Sequence, residues 1–178
     1  MTNITAWYDI LRSGQNAARI RSTGVRRTVI ILPMSEFRYY LPLQLRYGDL
    51  DAQWHINNAL FLTYMEHTRF SYLLHLGLFE GHNFLEFPLI VADVHIAFLA
   101  PIEHDETVRV GMRVSRIGNK SLTIEYLIEN TETGEAKARA EFIMVTFDYH
   151  QKKSVPVWPE WREKIAAFEG IAPGPAAN

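Results

Sequence analysis

Residues 46–69 read RYGDLDAQWHINNALFLTYMEHTR, and they join a polar loop to a long apolar segment. Just before them, residues 41–45 (LPLQL) place leucine at every second position, which is the spacing of a half-buried strand, and Gly48 interrupts that pattern. From residue 56 to residue 78, apolar side chains recur on almost every helical turn, with the polar ones gathered on a single stripe. The stretch therefore predicts a strand, an acidic loop and a mostly buried helix, in that order.

Polar residues crowd the predicted start of this helix: Asp49, Asp51, His55, Asn57 and Asn58. The first turn of a helix has unpaired backbone N–H groups and the positive end of the macrodipole, so it stabilises negative charge nearby. A carboxylate in this position can attack a carbonyl carbon or activate a water, while the N–H groups receive the charge that develops on the carbonyl oxygen. The loop thus indicates chemistry on a carbonyl group. The alternative is that the acidic residues only cap the helix or set the turn.

Four further runs show the apolar patterns of strands: residues 89–99, 106–117, 121–130 and 136–149. Short polar links, GNK at 118–120 and ETG at 132–134, supply hairpin turns between them. We therefore predict an antiparallel meander that, with the strand before residue 46, gives about five strands. Pro159 and Gly170 bracket a short terminal helix.

The run GDLDAQWHINNALFLTYMEHTR resembles the signature of the hotdog-fold acyl-CoA thioesterases, specifically the group of 4-hydroxybenzoyl-CoA thioesterase and the thioesterases of the Tol-Pal gene cluster. Two later stretches are also similar to that family: VADVHIAFLAPI followed by HDETVRV, and FDYHQKKSVPVWPEW. The resemblance covers residues 37–165. It implies an α+β hotdog fold, in which an antiparallel sheet of about five strands wraps around one long central helix. It also implies an acyl-CoA substrate and no cofactor.

By the resemblance, Asp51 occupies the position of the family's catalytic aspartate, as general base or nucleophile, and N–H groups at the helix N-terminus form the oxyanion hole. Asn58 falls where related enzymes carry a histidine or asparagine that orients the nucleophile or the water, although an amide cannot be the base. Glu66 is the second candidate for the catalytic carboxylate, because some hotdog enzymes use a carboxylate on the helix. Its alternative role is an intrahelical ion pair with Arg69.

The predicted substrate-binding residues are His55, Asn57, Phe61 and Met65. Histidine titrates near neutral pH, so His55 suits an acid or a base, and Asn57 is a second amide whose alternative role is to cap the helix. Phe61 and Met65 suit the wall of an acyl slot, although apolar residues at such spacings also build cores. The sequence leaves open the acyl group and the choice between CoA and acyl carrier protein.

Composition excludes several classes of function. The chain has no cysteine, so it has no disulfide framework, thiolate metal site or cysteine nucleophile. Its seven histidines show no metal-ligand spacing, so no metal is expected, and its formal net charge of -2 predicts no nucleic-acid partner. Because the sequence has neither an apolar run of about 20 residues nor a signal-like start, we expect a cytoplasmic protein with no membrane insertion.

The 178 residues fit a single domain. We expect an N-terminal extension of unclear role at residues 1–36, one hotdog domain at 37–170 and a flexible tail at 171–178. The arginine-rich extension is either a basic flap that touches an acyl-CoA phosphate or a neighbouring subunit, or a peripheral addition. One sheet around one helix leaves an exposed edge where related hotdog proteins pair their sheets, so a homodimer or homotetramer is expected.

Two other functions compete with thioester hydrolysis. A hotdog hydratase or dehydratase acts on the acyl group of a thioester, but the paired histidine and acidic residues usual in those enzymes are missing from this sequence. A non-catalytic acyl- or CoA-binding hotdog protein keeps the fold without turnover, and Asp51 and Asn58 at the helix start argue against it. Acyl-CoA thioester hydrolysis is therefore the predicted function.

Overall fold

The structure, a computed structural model of the chain, describes residues 37–80 and 87–175. Phe37 is the first residue of a compact unit. The predicted N-terminal extension, residues 1–36, lies outside the described residues, as does the end of the predicted tail, residues 176–178. The role of the extension therefore stays a prediction.

The described part of the chain alternates strands with two α-helices, so the predicted α+β class is confirmed. The elements are β1 Tyr39–Pro42, a 3-10 helix Tyr47–Asp49, α1 Asn58–His75, β2 Leu89–Phe98, β3 Val108–Ile117, β4 Ser121–Asn130, β5 Ala136–Asp148, β6 Lys153–Ser154 and α2 Pro159–Glu169. Strand β4 coincides with its predicted range, and the others differ from theirs by a few residues at the ends. The two-residue strand β6 was not predicted.

The strands form one antiparallel sheet in the order β1-β3-β4-β5-β2, with β6 paired to β5. The predicted meander is correct for β3, β4 and β5 but wrong for β2, which pairs with β5 so that Val94 lies opposite Phe142. The reason is the connection between β2 and β3, residues 99–107, which is too long for a tight hairpin, and β3 pairs with β1 instead. Strand β2 is therefore an edge of the sheet.

Strand β1 lies slightly earlier than the leucine pattern predicts. Its last bond to β3 beyond the strand runs from the Leu43 N–H to the Val108 carbonyl at 2.9 Å. Two tyrosines start the strand, and Tyr39 packs edge-on against Tyr72 of α1 with ring centroids 5.5 Å apart. The alternation within residues 41–45 reflects half-buried side chains, some of which lie beyond the end of the strand.

Helix α1 lies against one face of the sheet and is buried on one side only, whereas the sequence predicted a mostly buried helix. Its buried side chains are Phe61, Tyr64, Met65, Thr68, Arg69, Tyr72 and Leu73. The apolar ones pack with the alternating apolar residues of β3 and β4 in one core. The exposed polar stripe contains Thr63, Glu66, His67 and His75. One flank of the helix therefore faces away from the core.

The terminal helix α2 packs near the C-terminal end of α1. Glu169 accepts hydrogen bonds from the Tyr72 hydroxyl at 2.6 Å and from the Val114 backbone N–H at 3.0 Å. Gly170 ends α2 in the left-handed conformation with φ 70°, as the predicted bracket of Pro159 and Gly170 requires. The helix thereby ties α1 to β3 at the end of the sheet away from the acidic loop.

Candidate active site

The acidic loop folds back on itself between the 3-10 helix and α1. Leu50 and Ile56 form an antiparallel bridge, and the Asp51 N–H donates to the His55 carbonyl at 2.8 Å. The turn between them closes through the Trp54 N–H, which donates to the Asp51 carbonyl at 3.1 Å. Trp54 adopts φ 63°, a left-handed conformation that is unfavourable for a residue with a side chain. The loop is thus a small, strained hairpin with Asp51 at its base.

The Asp51 carboxylate uses its two oxygens differently. Its Oδ1 accepts hydrogen bonds from the backbone N–H groups of Gln53 at 2.8 Å and His55 at 3.2 Å. Its Oδ2 accepts none from the described residues. The side chain therefore does set the turn, which was the alternative role for this aspartate, and this role leaves one oxygen available.

Asp49 has a different environment, because both of its polar parts hold the loop to α1. Its Oδ2 accepts hydrogen bonds from the Arg46 backbone N–H and the Tyr64 hydroxyl, each at 2.9 Å. Its carbonyl accepts from the Asn57 N–H at 2.9 Å. Burial, with the hydrogen bond to Asp49, raises the pKa of the Tyr64 phenol above its ordinary value, so Tyr64 stays a donor. Asp49 fastens the loop to the second turn of the helix.

The N-terminus of α1 is capped by Asn57. Its side-chain oxygen accepts from the Ala59 N–H at 2.9 Å, and its carbonyl accepts from the Leu60 N–H at 2.9 Å. The backbone N–H of Asn58, in contrast, has no acceptor within residues 37–80 and 87–175. The exposed Asn58 side chain makes no hydrogen bond to those residues either. The first helical residue thus offers both a backbone and a side-chain donor.

His55 joins the acidic loop to residues 99–107, which connect β2 to β3. It forms an isolated antiparallel bridge with Glu103, and the next residue, Ile56, donates its N–H to the Ile102 carbonyl at 2.9 Å. The His55 backbone also contacts Asp51 through both its N–H and its carbonyl. The observed contacts of His55 therefore hold the loop in position, and a contact between its ring and a substrate stays a prediction.

A groove of about 450 Å³ runs along the exposed flank of α1. It is lined by Thr63, Glu66, His67, Phe70, Phe87 and Tyr149. At a rise of about 1.5 Å per residue, the groove begins about 7.5 Å along the helix from Asn58 and ends about 18 Å from it. The helical members lie at spacings of three, four and seven residues, which was a signal in the sequence for a shared face. The contribution of Tyr149, which follows β5, had no local signal.

Glu66 lies in the groove and also contacts Arg69 on the same helix. Its side chain is 72% exposed in the groove, and its carboxylate lies 3.6 Å from the guanidinium of Arg69, which is buried. Arg69 also donates to the Tyr126 hydroxyl at 3.4 Å, whereas its Nε has no partner among the described residues. Burial raises the pKa of Tyr126 to about 12, although the charge of Arg69 lowers it. The alternative role of Glu66, the intrahelical pair, is therefore present, at the long end of ion-pair distances.

Phe61 and Met65 point into the core. Met65 is fully buried, and Phe61 packs edge-on against Phe98 of β2 with ring centroids 5.1 Å apart. Neither residue lines the groove. Their contact with a substrate stays a prediction, and their observed contacts are packing contacts within the core.

Comparisons with known proteins agree with this architecture. The profile of the thioesterase-like superfamily matches residues 45–165. A thioesterase from Thermus thermophilus, solved with coenzyme A and Zn, superimposes with a TM-score of 0.68 at 31% identity, over 77% of this chain and 98% of that one. The long-chain acyl-CoA thioesterase FadM of Escherichia coli (strain K12) is 23% identical over 123 residues, which are 69% of this chain and 93% of that protein.

A 1,4-dihydroxy-2-naphthoyl-CoA thioesterase from Synechocystis shares the fold, with a TM-score of 0.65 at 19% identity over 72% of this chain and 95% of that one. In the described ranges, neither helix has the length and apolar character that a bilayer span requires. The order of strands around α1 and these superpositions confirm the predicted hotdog fold. The chain belongs to the thioesterase-like superfamily.

Proposed function

We propose that the chain hydrolyses an acyl-CoA thioester to a free acid and CoA, with Asp51 as general base or nucleophile. The observation that carries the proposal is the Asp51 carboxylate, whose Oδ1 is fixed by two backbone N–H groups and whose Oδ2 has no partner among the described residues. A carboxylate held in one orientation with a free oxygen is suited to take a proton from water or to attack a carbonyl carbon.

The oxyanion site of the proposal is the N-terminus of α1. Of the first N–H groups of the helix, that of Ala59 is occupied by the Asn57 cap, whereas that of Asn58 has no acceptor in the described part of the chain. A free N–H at the positive end of the helix dipole stabilises charge on a thioester oxygen. The Asn58 side-chain amide is exposed beside this N–H, and we assign to it the role of orienting the attacking water.

The reaction needs no cofactor in this scheme. Water adds to the carbonyl carbon as Asp51 takes its proton, or Asp51 adds first and water hydrolyses the acyl-enzyme. In both routes the carbon–sulfur bond breaks, the thiolate of CoA leaves, and the acyl group ends as a carboxylic acid. Thiolate is a good leaving group, so one carboxylate and an N–H donor are a sufficient set.

The groove on α1 is assigned to the acyl group. Half of its lining residues are Phe70, Phe87 and Tyr149, and it starts about one and a half turns from Asn58, where the thioester lies in the proposal. A volume of about 450 Å³ is within the usual range of small-molecule sites. Glu66 on the same wall is the second candidate for the catalytic carboxylate.

The test is release of free thiol from acetyl-, octanoyl-, hexadecanoyl- and benzoyl-CoA, followed with a chromogenic thiol reagent. Because the chain has no cysteine, the reagent reports only CoA. We expect thiol release from at least one of the four, lowered about 100-fold or more by Asp51→Asn. Hydration of an unsaturated acyl-CoA without thiol release supports the hydratase alternative, and binding without either reaction supports the non-catalytic one.

The proposed assembly is a homodimer through β2, or a tetramer built from such dimers. Strand β2 ends the sheet, and Val91, Val94 and Phe98 on it are exposed in the single chain. A long edge strand with exposed apolar residues is a template for pairing with a second copy. Light scattering at micromolar concentration tests this, and a monomer contradicts it.

A further inference from the structure

The connection between β2 and β3, residues 99–107, holds the loop that carries Asp51. Ile102 accepts a hydrogen bond from Ile56 at 2.9 Å, and Glu103 pairs with His55. His55 in turn binds Asp51 twice, through its carbonyl and through the N–H that reaches Oδ1. If residues 99–107 are displaced, the Asp51 carboxylate therefore moves with them, because His55 contacts both.

Glu106 fixes the shape of this connection. Its Oε2 accepts from the Glu103 N–H at 3.1 Å, and its own N–H donates to the Glu103 carbonyl at 3.2 Å, so the turn is closed in both directions. Its Oε1 accepts from Asn130 Nδ2 at 3.2 Å and from Lys137 Nζ at 2.6 Å. One carboxylate thus joins the segment beside His55 to strands β4 and β5.

Lys137 holds the other end of the same connection. Its carbonyl accepts from the N–H groups of Leu99 at 2.8 Å and Ala100 at 3.2 Å, where the connection leaves β2. Its side chain is only 4% exposed and pairs with Glu106 and with Glu135 at 2.7 Å. Burial opposes the charge, but the two carboxylates raise the pKa of Lys137 above its ordinary value. A buried cation of this kind keeps its partners in place, because leaving it unpaired is costly.

We infer that Glu106, anchored by Lys137, is a positioning residue for Asp51. This inference rests on the proposed function, since it assigns to Glu106 the orientation of the catalytic carboxylate. Nothing about Glu106 requires contact with substrate. Its effect is on where Asp51 Oδ2 lies relative to the helix N-terminus, and a misplacement of about 1 Å is worth about 100-fold in rate.

Glu135 is a matched control, because it pairs with the same ammonium group. It lies 2.7 Å from Lys137 Nζ, its side chain is 55% exposed, and that side chain makes no hydrogen bond to residues 99–107 among the described residues. Glu135→Ala therefore removes one charge partner of Lys137 and leaves the turn at Glu103 intact. Glu106→Ala removes the other partner together with the side-chain hydrogen bonds to the Glu103 N–H and to Asn130.

The experiment compares kcat and KM for the best substrate among the four acyl-CoA esters, well below the unfolding midpoint of each variant. We expect Glu106→Ala to lower kcat about 10- to 100-fold with KM changed less than about threefold. Glu135→Ala should keep kcat within about twofold. If Glu106→Ala does not fold, Glu106→Gln replaces it, since its amide cannot satisfy both Glu103 and Lys137, and kcat should fall by about threefold or more.

A double variant separates positioning from a general loss of structure. In the Asp51→Asn background, Glu106→Ala should have almost no further effect on the remaining rate, because its target is gone. Additive losses, equal losses in the Glu106 and Glu135 variants, or an unchanged kcat in Glu106→Ala each overturn the inference. Full activity in Asp51→Asn alone instead contradicts the proposed function, so the two failures are distinguishable.

Discussion

Replacing Asp51 by asparagine removes the charge of the carboxylate and keeps a side chain of almost the same shape. The side-chain oxygen of asparagine can still accept from the N–H groups of Gln53 and His55, so the turn survives. Exchanging charge-assisted bonds for neutral ones costs about 1 kcal/mol in the free energy of unfolding. The position of Oδ2 is taken by an amide NH₂, which neither accepts a proton from water nor attacks a carbonyl. Loss of general-base catalysis alone is worth about 100- to 10,000-fold in kcat.

Asp49→Asn is the matched control for this substitution. The residue is in the same loop, and its carboxylate oxygen also accepts two hydrogen bonds, from Arg46 and Tyr64. Its asparagine variant should lose a similar amount of stability, about 1 kcal/mol, because the same type of bond is weakened. Its kcat should stay within about threefold of the wild type, a change of under about 0.7 kcal/mol in the activation barrier.

The measurement is kcat from thiol release at saturating acyl-CoA, combined with urea unfolding of each variant. Titration calorimetry with the slow Asp51→Asn variant gives the substrate affinity, which we expect to be nearly unchanged. Retention of more than about a tenth of wild-type turnover, a deficit of about 1.4 kcal/mol, would refute the assignment of Asp51. Glu66→Gln, measured in parallel, then identifies the other carboxylate if that variant carries the loss.

Three further predictions concern the loop, the terminal helix and the sheet edge. Because Trp54 has φ 63°, Trp54→Ala should unfold about 1 kcal/mol more easily than Trp54→Gly in urea, and equal stabilities would show that the conformation carries no strain. Burial raises the pKa of Glu169, although Tyr72, Val114, Arg38 and Arg113 oppose the shift. The contribution of Glu169 to stability is therefore fully present below its unfolded pKa of 4.5 and is lost as the pH rises through its folded pKa. Glu169→Gln should therefore gain stability relative to the wild type between acid and neutral pH, and a difference that does not vary with pH contradicts this. Val94→Lys on the exposed edge strand should shift the protein to a monomer by light scattering, whereas Thr133→Lys in the turn after β4 should not.

The sequence could predict the elements whose pattern is local. The range of β4 was correct because apolar and polar residues alternate between two turns, and α1 was found because its buried positions and its exposed stripe follow one helical period. The position of β2 could not be found in this way. Its pairing with β5 rather than β3 is a choice between two partners of similar pattern, and only the tertiary structure makes it.

The candidate site shows the same division. The nearness of Asp51 to the start of α1 follows from a few residues of sequence, as does the option that Asn57 caps the helix. The different contacts of Asp49 and Asp51 do not follow, because one depends on Tyr64 in the second turn of the helix and the other on the local turn at Trp54. No local pattern in the sequence predicts that Glu106 contacts both Lys137 and Glu103, because Lys137 is on β5 whereas the other two precede β3.

The number of hydrogen bonds that tie down the acidic loop explains why a strained turn persists beside the proposed catalytic carboxylate. A left-handed tryptophan costs of order 1 kcal/mol or more and is kept only where the surroundings determine the conformation independently. Here the ties are the Asp49–Tyr64 bond, the Asn57–Asp49 bond and the Ile56–Ile102 bond, each at 2.9 Å. Removing one tie leaves the others, so the domain stays folded while the carboxylate moves. Asp49→Asn keeps an acceptor oxygen for Arg46 and Tyr64 and so breaks none of these ties. Substitutions that do break a tie should therefore lower kcat more than they lower stability, which is the opposite of what substitutions in the core of β3 and β4 should do.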